Sequence, residues 1–385
     1  PTAYQSVDAT TNFVAGKGYM IRSDNTYTGP TVFNGQFTGV PINGIVNQSV
    51  GLGYNVLGNP YPSPIDANAF LTDNTNIGAL YFWTNTTAAS GGVYPQNNFA
   101  AYTSGSGGVA AFASGKTPNG TIQTGQGFYV QATSAGTASF NNSQRENASV
   151  STQFYRNAST SSIERHRIWL NLNDGNTSYN QILVGYIEGA SNGVDFGIDA
   201  KVLDTSKPML YNIVNNEEYV IQGKSLPFND EDIVPLGLKA LTAGAYTISI
   251  ENVDGLFDNQ DVFIKDKLNN IVHDLKSSAY SFTTQVGTFN NRFEIVYKSG
   301  SLSSDDFTNA NTMNVFVNSN EIHVNSLKEN INEIIVFDVL GRKLYENKTI
   351  NANTFTISTL KASNQALIVK VKLQNGQVKT EKIIL

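Results

Sequence analysis

Short runs of alternating apolar and polar residues recur along most of the chain. The clearest example is HRIWLNLN, residues 166–173, which is followed by YNQILVGYI, residues 179–187. A repeat of two residues places successive side chains on opposite faces of a β-strand. The Asp-Gly-Asn segment between the two runs contains residues that favour a tight turn. The pattern therefore predicts a β-hairpin at residues 166–187.

The same alternation continues as far as residue 298. Turn-favouring residues separate the runs at short intervals, which is typical of a β-sandwich. The further predicted strands are residues 219–226, 244–253, 261–266, 280–286 and 291–298. We therefore expect a β-sandwich module at residues 151–298.

Residues 1–150 have a different pattern, rich in glycine and aromatic residues. The pattern Gly-x-Gly-aromatic occurs twice, at residues 16–22 and 125–132, and each time an alternating run follows. These glycines predict a bulge or a close approach of two backbones, with the next residues continuing as strands. We expect a second β-sandwich-like module here.

Three segments of this first module are predicted to be irregular or helical. Residues 59–64 contain three prolines, each of which removes a donor from a strand, so they predict an extended loop. A single helical turn is predicted at residues 66–71, with Asp66 as its N-cap. The Gly- and Ser-rich residues 102–120 predict a long exposed loop.

The last part of the chain begins with residues 299–312, which are rich in Ser, Asp and Asn and lack apolar periodicity. That composition predicts a linker. Roughly seven short strands are predicted in residues 313–385, which indicates a small β-sandwich. Its last two strands form a hairpin with a turn at Asn375-Gly376. Because a terminal strand stays ordered only where a sheet holds it, this hairpin either completes a domain or binds a partner.

The composition agrees with an all-β fold. Among 385 residues there are 33 Gly, 21 Phe and 18 Tyr, and only 15% of the residues are charged. Glycine turns and aromatic residues favour strands over helices. Cysteine is absent, which excludes thiol catalysis, disulfides and zinc-thiolate sites. No run approaches the ~18 apolar residues of a membrane-spanning helix, and from the start at Pro1 we expect a processed or truncated piece.

Charge divides the chain into three parts. Residues 1–150 contain four basic and five acidic residues, whereas residues 151–300 contain twelve basic and eighteen acidic ones. From Met313 onward the balance reverses, with nine basic and six acidic residues. Three charge distributions in one chain predict three units with different roles. None has the clustered positive charge that nucleic-acid binding needs, so we expect no nucleic-acid partner.

Residues 189–193 match the Gly-x-Ser-x-Gly pattern of hydrolase nucleophiles. That site needs a helix after the serine and a histidine base, but no helical periodicity follows and the chain has only three histidines. The two Gly-x-Gly pairs are predicted to continue as strands, so they lack the helix N-terminus of a phosphate-binding loop. We therefore predict no catalytic residue and no enzyme, since a catalytic domain would have to precede Pro1.

Two interpretations remain open for the acidic turns of the second module. Asp254, Asp258 and Asp261 lie in one turn-rich stretch, and hard oxygen ligands on loops suit Ca²⁺. Their spacing matches no EF-hand, and acidic turn residues are common in β proteins. The preferred interpretation is solvated turns without a cofactor, and structural calcium is the alternative.

Tyr81 and Trp83 are the candidate ligand-binding residues of the first module. An uncharged surface rich in aromatic and amide groups suits stacking of sugars and hydrogen bonds to their hydroxyls. Strict alternation, however, places both residues on one face of a strand, as is equally expected of a core. The preferred interpretation is a core face, and a glycan-binding face is the alternative.

The terminal sequence has the ordered features of a known class of signal. EIIVFDVLGRKLYENKTI, residues 333–350, is followed by SNQALIVKVKLQNGQVKTEKIIL, residues 363–385. This combination resembles the C-terminal sorting signals of the type IX secretion system of Bacteroidetes, and within them the type C subclass. The commoner type A signals begin with a Tyr-Pro-Asn-Pro-like motif, whereas FVNSNEIHV, residues 316–324, lacks proline. That departure favours type C and weakens an inference of covalent anchoring.

The resemblance implies a set of recognition residues. They are Asp338, Gly341, Asn364, Gln365, Asn375, Gly376, Lys382 and Leu385. It also implies that residues 313–385 are a β-sandwich sorting domain and that its partners are an outer-membrane β-barrel shuttle protein and the translocon barrel. The protein would then pass through the periplasm to the cell surface or the medium, with non-catalytic modules upstream of the signal.

A second interpretation places the protein in another class. It is a surface adhesin or a carbohydrate-binding module, and its terminal domain is purely structural. Binding of a sugar by residues 1–150 would favour this interpretation, whereas export of a passenger by residues 313–385 would favour the first.

Overall fold

The protein is all-β. Strands account for 51% of the chain in the computed structural model and helix for 4%. Contacts divide the chain into two compact units, Pro1–Lys298 and Ser299–Leu385. In the part that is described, no helix is long and apolar enough to cross a membrane. The structure describes residues 6–8, 10–21, 38–85, 87, 89–90, 92–147, 163–299, 313–318, 321–326, 329–360, 365–376 and 378–384.

The first part of unit one contains nine strands and one α-helix within its described residues. They are β1 Val46–Val50, β2 Gly53–Gly58, β3 Ile65–Asp66, α1 Ala67–Asp73, β4 Ile77–Trp83, β5 Phe99–Thr103, β6 Gly107–Val109, β7 Thr121–Ile122, β8 Gly127–Ala132 and β9 Gly136–Phe140. A 3₁₀ turn follows at Asn142–Gln144. Five strands form one antiparallel sheet in the order β2-β8-β4-β5-β6, and β1-β9 and β3-β7 form two small sheets.

Helix α1 confirms the helical turn predicted after the proline-rich loop. The side chain of Asp66 accepts hydrogen bonds from the backbone N–H groups of Asn68 and Ala69, at 2.6 and 3.0 Å. Such an N-cap satisfies donors that the first helical turn leaves free. Phe70 and Leu71 then pack into an apolar core, and residues of the five-stranded sheet belong to the same core.

The two Gly-x-Gly segments differ in the structure. The second continues as β8, as predicted, but Tyr19 to Ile21 join no sheet among the described residues, so the strand predicted after the first pair is wrong. The close backbone approach is confirmed at Gly18, where a Cβ atom would lie 2.5 Å from the carbonyl oxygen of Leu57. Pairing stops there because Met20 and Ile21 are exposed rather than packed.

The second part of unit one contains eleven strands within its described residues. They are β10 Arg165–Asn173, β11 Ser178–Ile187, β12 Ala200–Lys201, β13 Met209–Val214, β14 Glu217–Lys224, β15 Ile233–Ala240, β16 Gly244–Asp254, β17 Phe263–Asp266, β18 Ile271–Asp274, β19 Tyr280–Thr284 and β20 Gly287–Val296. They form one sheet in the order β18-β17-β20-β15-β13-β14-β11-β10-β16-β19, with β12 paired to β14. A 3₁₀ turn lies at Gly255–Asp258.

This long sheet folds over its own core. One apolar cluster joins Leu170 of β10 and Phe282 of β19, near one end of the strand order, to Ile264 of β17 and Phe293 of β20, near the other end. Residues so far apart in the strand order meet only if the sheet curves back on itself, as in a sandwich. The predicted hairpin is confirmed, because β10 and β11 pair in antiparallel register.

Strand β11, which pairs antiparallel with β10 and parallel with β14, is buried on both faces. Ile182 and Val184 face the sandwich core, whereas Leu183 belongs to a second cluster with Tyr81 of β4 and Trp169 of β10. That second cluster, here called the shared core, contains residues from both predicted modules. The two modules are thus packed into one compact unit.

Polar contacts line the edges of the shared core. The indole Nε1–H of Trp169 donates to the carbonyl oxygen of Gly108 at 3.0 Å, and Nη1 of Arg167 donates to that of Ser106 at 2.9 Å. The hydroxyl of Tyr81 donates to the carbonyl oxygen of Lys201 at 2.9 Å. These bonds satisfy buried polar groups that would otherwise lose their hydration without replacement.

The exposed loop predicted at residues 102–120 is therefore wrong for residues 102–112, whereas residues 113–120 do form an irregular segment that is exposed in part. Residues 102–103 end β5, residues 107–109 form β6, and both Thr103 and Ser106 are fully buried. The small Ser and Gly residues of this segment allow the second part of the unit to pack closely against it. The hydroxyl of Ser106, for example, donates to the carbonyl oxygen of Ile198 at 2.7 Å. The second part of the unit covers a segment whose composition is typical of a surface loop.

Unit two contains seven strands within its described residues, in agreement with the predicted small sandwich. They are β21 Met313–Asn318, β22 Glu321–Ser326, β23 Ile331–Asp338, β24 Lys343–Asn347, β25 Thr354–Ile357, β26 Ala366–Leu373 and β27 Val378–Ile384. One sheet has the order β21-β22-β25 and the other β24-β23-β26-β27. Apolar residues of both sheets, among them Val324, Val336 and Val369, form the core between them.

Two predicted boundaries fall on residues that are not described. The predicted linker, residues 299–312, lies outside the described residues except for Ser299. The predicted junction near residue 150 also lies outside them, since the described residues end at 147 and resume at 163.

Two matched substitutions test whether the shared core holds unit one together. Trp169 is 7% exposed and Trp83 is 41% exposed, so Trp169→Ala removes far more buried surface than Trp83→Ala. We expect Trp169→Ala to lower the free energy of unfolding by about 3–5 kcal/mol and Trp83→Ala to lower it by about 1 kcal/mol or less. Urea unfolding followed by far-UV circular dichroism measures both. Equal losses of unfolding free energy in the two variants would contradict a core shared by the two modules.

Candidate functional site

The closing hairpin of unit two is formed as predicted. β26 and β27 pair in antiparallel register from Ala366 opposite Ile384 to Lys372 opposite Val378. The turn between them is exposed at Asn375 and Gly376, and Gly376 has a φ of +91°, which favours glycine. Its N–H donates to the carbonyl oxygen of Leu373 at 3.1 Å. A sheet therefore holds the last described residues of the chain.

Strand β27 lies at the edge of its sheet and carries charge on its inner face. Lys379 and Glu381 lie opposite Val371 and Val369, whose side chains are buried in the core. The ammonium of Lys379 lies 3.5 Å from the carboxylate of Glu381. Inward charged residues are a common protection against unwanted pairing of an exposed edge strand.

The outer face of the hairpin carries exposed lysines. Lys370, Lys372 and Lys382 are exposed, and Lys382 lies opposite Ile368 on this face. Among the described residues, no carboxylate forms an ion pair with these three lysines. Lys343 differs, since its ammonium lies 2.7 Å from the carboxylate of Glu346.

Asp338 fixes the turn that follows β23. The carboxylate is 1% exposed; it accepts hydrogen bonds from the N–H groups of Leu340 and Arg342, both at 2.9 Å, and from Nε of Arg342 at 2.6 Å. Burial raises the pKa of Asp338, but the hydrogen bonds from Arg342 and Leu340 outweigh burial and hold that pKa below its usual value. Gly341 completes the turn with a φ of +79°.

This turn displays two aliphatic side chains to solvent. Val339 is 61% exposed and Leu340 is 76% exposed. Asp338 lies opposite Leu367, which in turn lies opposite Ile383, so the turn and the last residues of β27 share one end of the sheet. We call this end, formed by the turn at residues 338–342 and the close of β27, the Leu340 end.

The structure thus separates the predicted recognition residues into two groups. Asp338, Gly341, Lys382 and the exposed Gln365 lie at or near the Leu340 end. Asn375 and Gly376 lie at the opposite end of the hairpin. Asn364 and Leu385 lie outside the described residues.

Sequence reasoning did not select Val339 and Leu340 individually, although a signal was present. Asp338 and Gly341 are both turn residues, and two apolar residues enclosed by such a turn cannot reach a core. Their exposure follows from that spacing.

In unit one, the structure assigns Tyr81 and Trp83 to different environments. Tyr81 lies in the shared core, and burial raises the pKa of its hydroxyl well above the usual value. Trp83 ends β4 and is only partly covered. Its ring centroid lies 5.5 Å from that of Tyr94 and 5.2 Å from that of Phe99, in edge-to-face contacts. The preferred core interpretation therefore describes Tyr81, whereas Trp83 remains accessible.

A shallow cleft lies beside Phe99, the residue whose ring Trp83 contacts. Its enclosed volume is about 10 Å³, room for about one water molecule. One wall is aromatic, from Tyr81 and Phe99, and the facing residues include Asp204 and Lys207, between β12 and β13. We call this feature the aromatic cleft. No sequence signal joins its walls, since they come from segments about a hundred residues apart.

The Gly-x-Ser-x-Gly segment at residues 189–193 belongs to a loop that is held by carboxylates. The hydroxyl of Ser191 donates to the carboxylate of Asp195 at 2.9 Å. The N–H of Asp195 donates to Asp199 at 2.6 Å, and the N–H of Gly223 donates to the other oxygen of Asp199, also at 2.6 Å. The hydroxyl of Ser191 thus stabilises its own turn, and no helix follows it.

The three aspartates considered for calcium do not form a cluster. Asp254 accepts hydrogen bonds from Arg167, including one from Nε at 3.0 Å. Asp258 lies in the 3₁₀ turn, and Asp261 follows it on the surface. Among the residues that the structure describes, no group of three or more His, Asp or Glu side chains is arranged to hold a metal ion.

These features define an all-β protein of two units, one with an aromatic cleft and one with a constrained apolar turn. A family model described as a domain of unknown function, DUF8693, matches residues 2–297, and the chain therefore belongs to that family. A second model, also described as a domain of unknown function, DUF8694, matches residues 302–385. No curated protein matches the chain. The two matched regions correspond closely to the two contact-based units.

The loop at residues 189–199 predicts a pH dependence of stability. Burial raises the pKa of Asp199 to about 6 from 3.8, although the hydrogen bonds from Asp195 and Gly223 oppose this rise. Between about pH 4 and pH 6 the folded state keeps a proton that the unfolded state has lost. Stability must therefore fall as the pH rises through this window, by up to about 3 kcal/mol.

Urea unfolding of residues 1–298 at pH 4 to 7 measures this effect, followed by fluorescence because both tryptophans lie in this unit. We expect the free energy of unfolding to fall less steeply across the window in Asp199→Asn than in the unchanged protein. Identical slopes for the two proteins would contradict a proton held by Asp199.

Proposed function

We propose that unit two is an export signal of the type IX secretion class and that its Leu340 end contacts the secretion machinery. The observation that carries this proposal is the exposure of Val339 and Leu340 on a turn that the buried Asp338 holds rigid. The resemblance of residues 333–350 and 363–385 to type C sorting signals supports the same assignment.

An exposed aliphatic pair on a rigid turn is suited to binding. A partner that covers Val339 and Leu340 removes apolar surface from water. The hydrogen bonds of Asp338 fix the backbone before binding, so little conformational entropy is lost when a partner engages the turn.

The edge strand β27 supplies a second means of recognition. Its outer backbone groups can pair with a strand of a partner by β-strand addition. The inward Lys379 and Glu381 disfavour indiscriminate pairing along this edge. We infer that the apolar turn selects the partner and that β27 extends the contact.

The partners in this proposal are an outer-membrane β-barrel shuttle protein and the translocon barrel. Unit one would then be a non-catalytic passenger that is carried through the periplasm to the cell surface or the medium. The separate family match of residues 302–385 supports a terminal module with a role of its own.

A fluorescent passenger tests the proposal. We fuse residues 299–385 to a fluorescent protein that carries a Sec signal and express the fusion in a type IX-competent bacterium. We expect the passenger in the medium or on the cell surface, and the double variant Val339→Ser/Leu340→Ser in the periplasm. Fractionation of the culture measures the distribution.

The matched control is Val378→Ser, which removes an aliphatic residue of 43% exposure from the opposite end of the hairpin. Changes at exposed positions alter stability by about 0.5 kcal/mol or less, so both variants should fold, as circular dichroism can verify. Retention of the unchanged fusion in the periplasm would overturn the export function. Normal export of the double variant would overturn only the role of the turn.

A further inference from the structure

Strand β10 carries two arginines at the margin of the shared core. Arg165 and Arg167 stand two positions apart, so both lie on the face of β10 that contributes Trp169 to the shared core. Both guanidinium groups reach the start of β6. A Cβ atom at Gly107 would lie 2.8 Å from Nη1 of Arg167 and 3.5 Å from Nη1 of Arg165. Two positive charges therefore meet at this glycine.

Arg167 has strong partners. Its Nε donates to the carboxylate of Asp254 at 3.0 Å, and its Nη1 donates to the carbonyl oxygen of Ser106 at 2.9 Å. Its guanidinium also lies over the ring of Trp169, 4.7 Å from the ring centroid. The carboxylate balances the charge of Arg167, and the three contacts together fix its position.

Arg165 lacks such partners. Among the residues that the structure describes, no oxygen accepts a hydrogen bond from its guanidinium, and no carboxylate forms an ion pair with it. The neighbouring Glu164 instead lies 3.0 Å from Nε2 of His166. Residues 148–162, which precede β10 and lie outside the described part of the chain, contain no Asp or Glu. Because Arg165 is only partly exposed, its guanidinium has lost hydration that no protein group replaces.

The surroundings of Arg165 also disfavour its charge. Burial and the neighbouring Arg167 both lower the pKa of the Arg165 guanidinium, and the opposing effects of Tyr102 and Asp254 do not restore it. Arginine nevertheless stays protonated, because its ordinary pKa lies far above neutral pH. An anion that binds beside Arg165 would stabilise this permanent charge.

The local charge limits which anion fits. Arg165 and Arg167 contribute two positive charges and Asp254 contributes one negative charge. One further negative charge therefore makes the group neutral, whereas the two charges of sulfate would leave it negative. The planar fork of a guanidinium also matches the two oxygens of a carboxylate.

From this arrangement we propose that Arg165 forms an anion site in unit one and that the site binds the carboxylate group of a ligand. Arg165 donates to the two carboxylate oxygens. Arg167 acts as a positioning residue, because its bonds to Asp254 and Ser106 hold a second positive charge beside the ligand. Bulk water is the competing occupant, since a partly exposed guanidinium can also be hydrated.

Titration of the full chain with sodium acetate and sodium glucuronate tests the proposal. Acetate presents the carboxylate alone, whereas glucuronate presents it on a sugar ring. Isothermal titration calorimetry at constant ionic strength, with chloride as the replaced anion, separates binding from general screening. We expect saturable binding of a carboxylate. Arg165→Met should weaken it about tenfold or more, and Arg165→Lys should retain part of the affinity because it keeps the charge without the planar fork.

The matched control is Lys370→Gln, which removes one positive charge from an exposed residue of unit two and should leave the affinity unchanged. Urea unfolding in acetate-free buffer verifies that each variant is folded. We expect Arg165→Met to be at least as stable there as the unchanged protein, because it removes a charge without a partner.

Four outcomes would overturn the proposal. They are the absence of saturable binding by both acids, equal affinity in Arg165→Met and the unchanged protein, and tighter binding of sulfate than of either carboxylate. The fourth is a large loss of stability in Arg165→Met in acetate-free buffer, since the guanidinium would then already have a stabilising partner. Binding of glucuronate but not of acetate would support the proposal and show that the sugar ring adds contacts.

Discussion

The burial of Trp169 and Leu183 against β4, β5 and β6 is the interaction on which unit one depends. It covers the second face of β11, joins two regions that have separate cores, and makes them one compact unit. It also places Tyr81 in the interior and ends just before Trp83. The shallow aromatic cleft lies within this contact and is lined by its residues, among them Tyr81, Phe99 and Val220.

The loop at residues 189–199 reinforces that contact with polar groups. Phe196 and Ile198 approach Gly78 and Gly105 so closely that a Cβ atom at either glycine would lie within 3.0 Å of their side chains. The carboxylate of Asp199 ties the loop to Gly223 in β14. A buried carboxylate with two backbone donors is a precise but pH-sensitive anchor, because its ionised form is the one that burial disfavours.

Unit two is also built from strands and turns, but one of its turns exposes apolar side chains. Its core is small, yet Asp338 is buried at the margin of the sheet in order to hold a turn whose side chains face solvent. In a sandwich selected for stability alone, exposed Val339 and Leu340 have no role. A terminal module that must be recognised requires such an exposed feature, and the export function proposed for it accounts for a residue pattern that packing does not explain.

The sequence by itself determined the local elements: the hairpin at residues 166–187, the helix capped by Asp66, the seven short strands of unit two and the Asn375-Gly376 turn. Each depends on neighbours in sequence, through alternation, capping or turn geometry. Only the tertiary structure decided which faces are covered. Tyr81 and Trp83 have the same sequence pattern, yet Tyr81 is buried and Trp83 is exposed, because the residues that cover β4 end between them. The Ser- and Gly-rich residues 102–109 are buried, and Asp254 pairs with Arg167. The partners in these contacts lie 61 to 95 positions away in the sequence, so a local pattern could not reveal them.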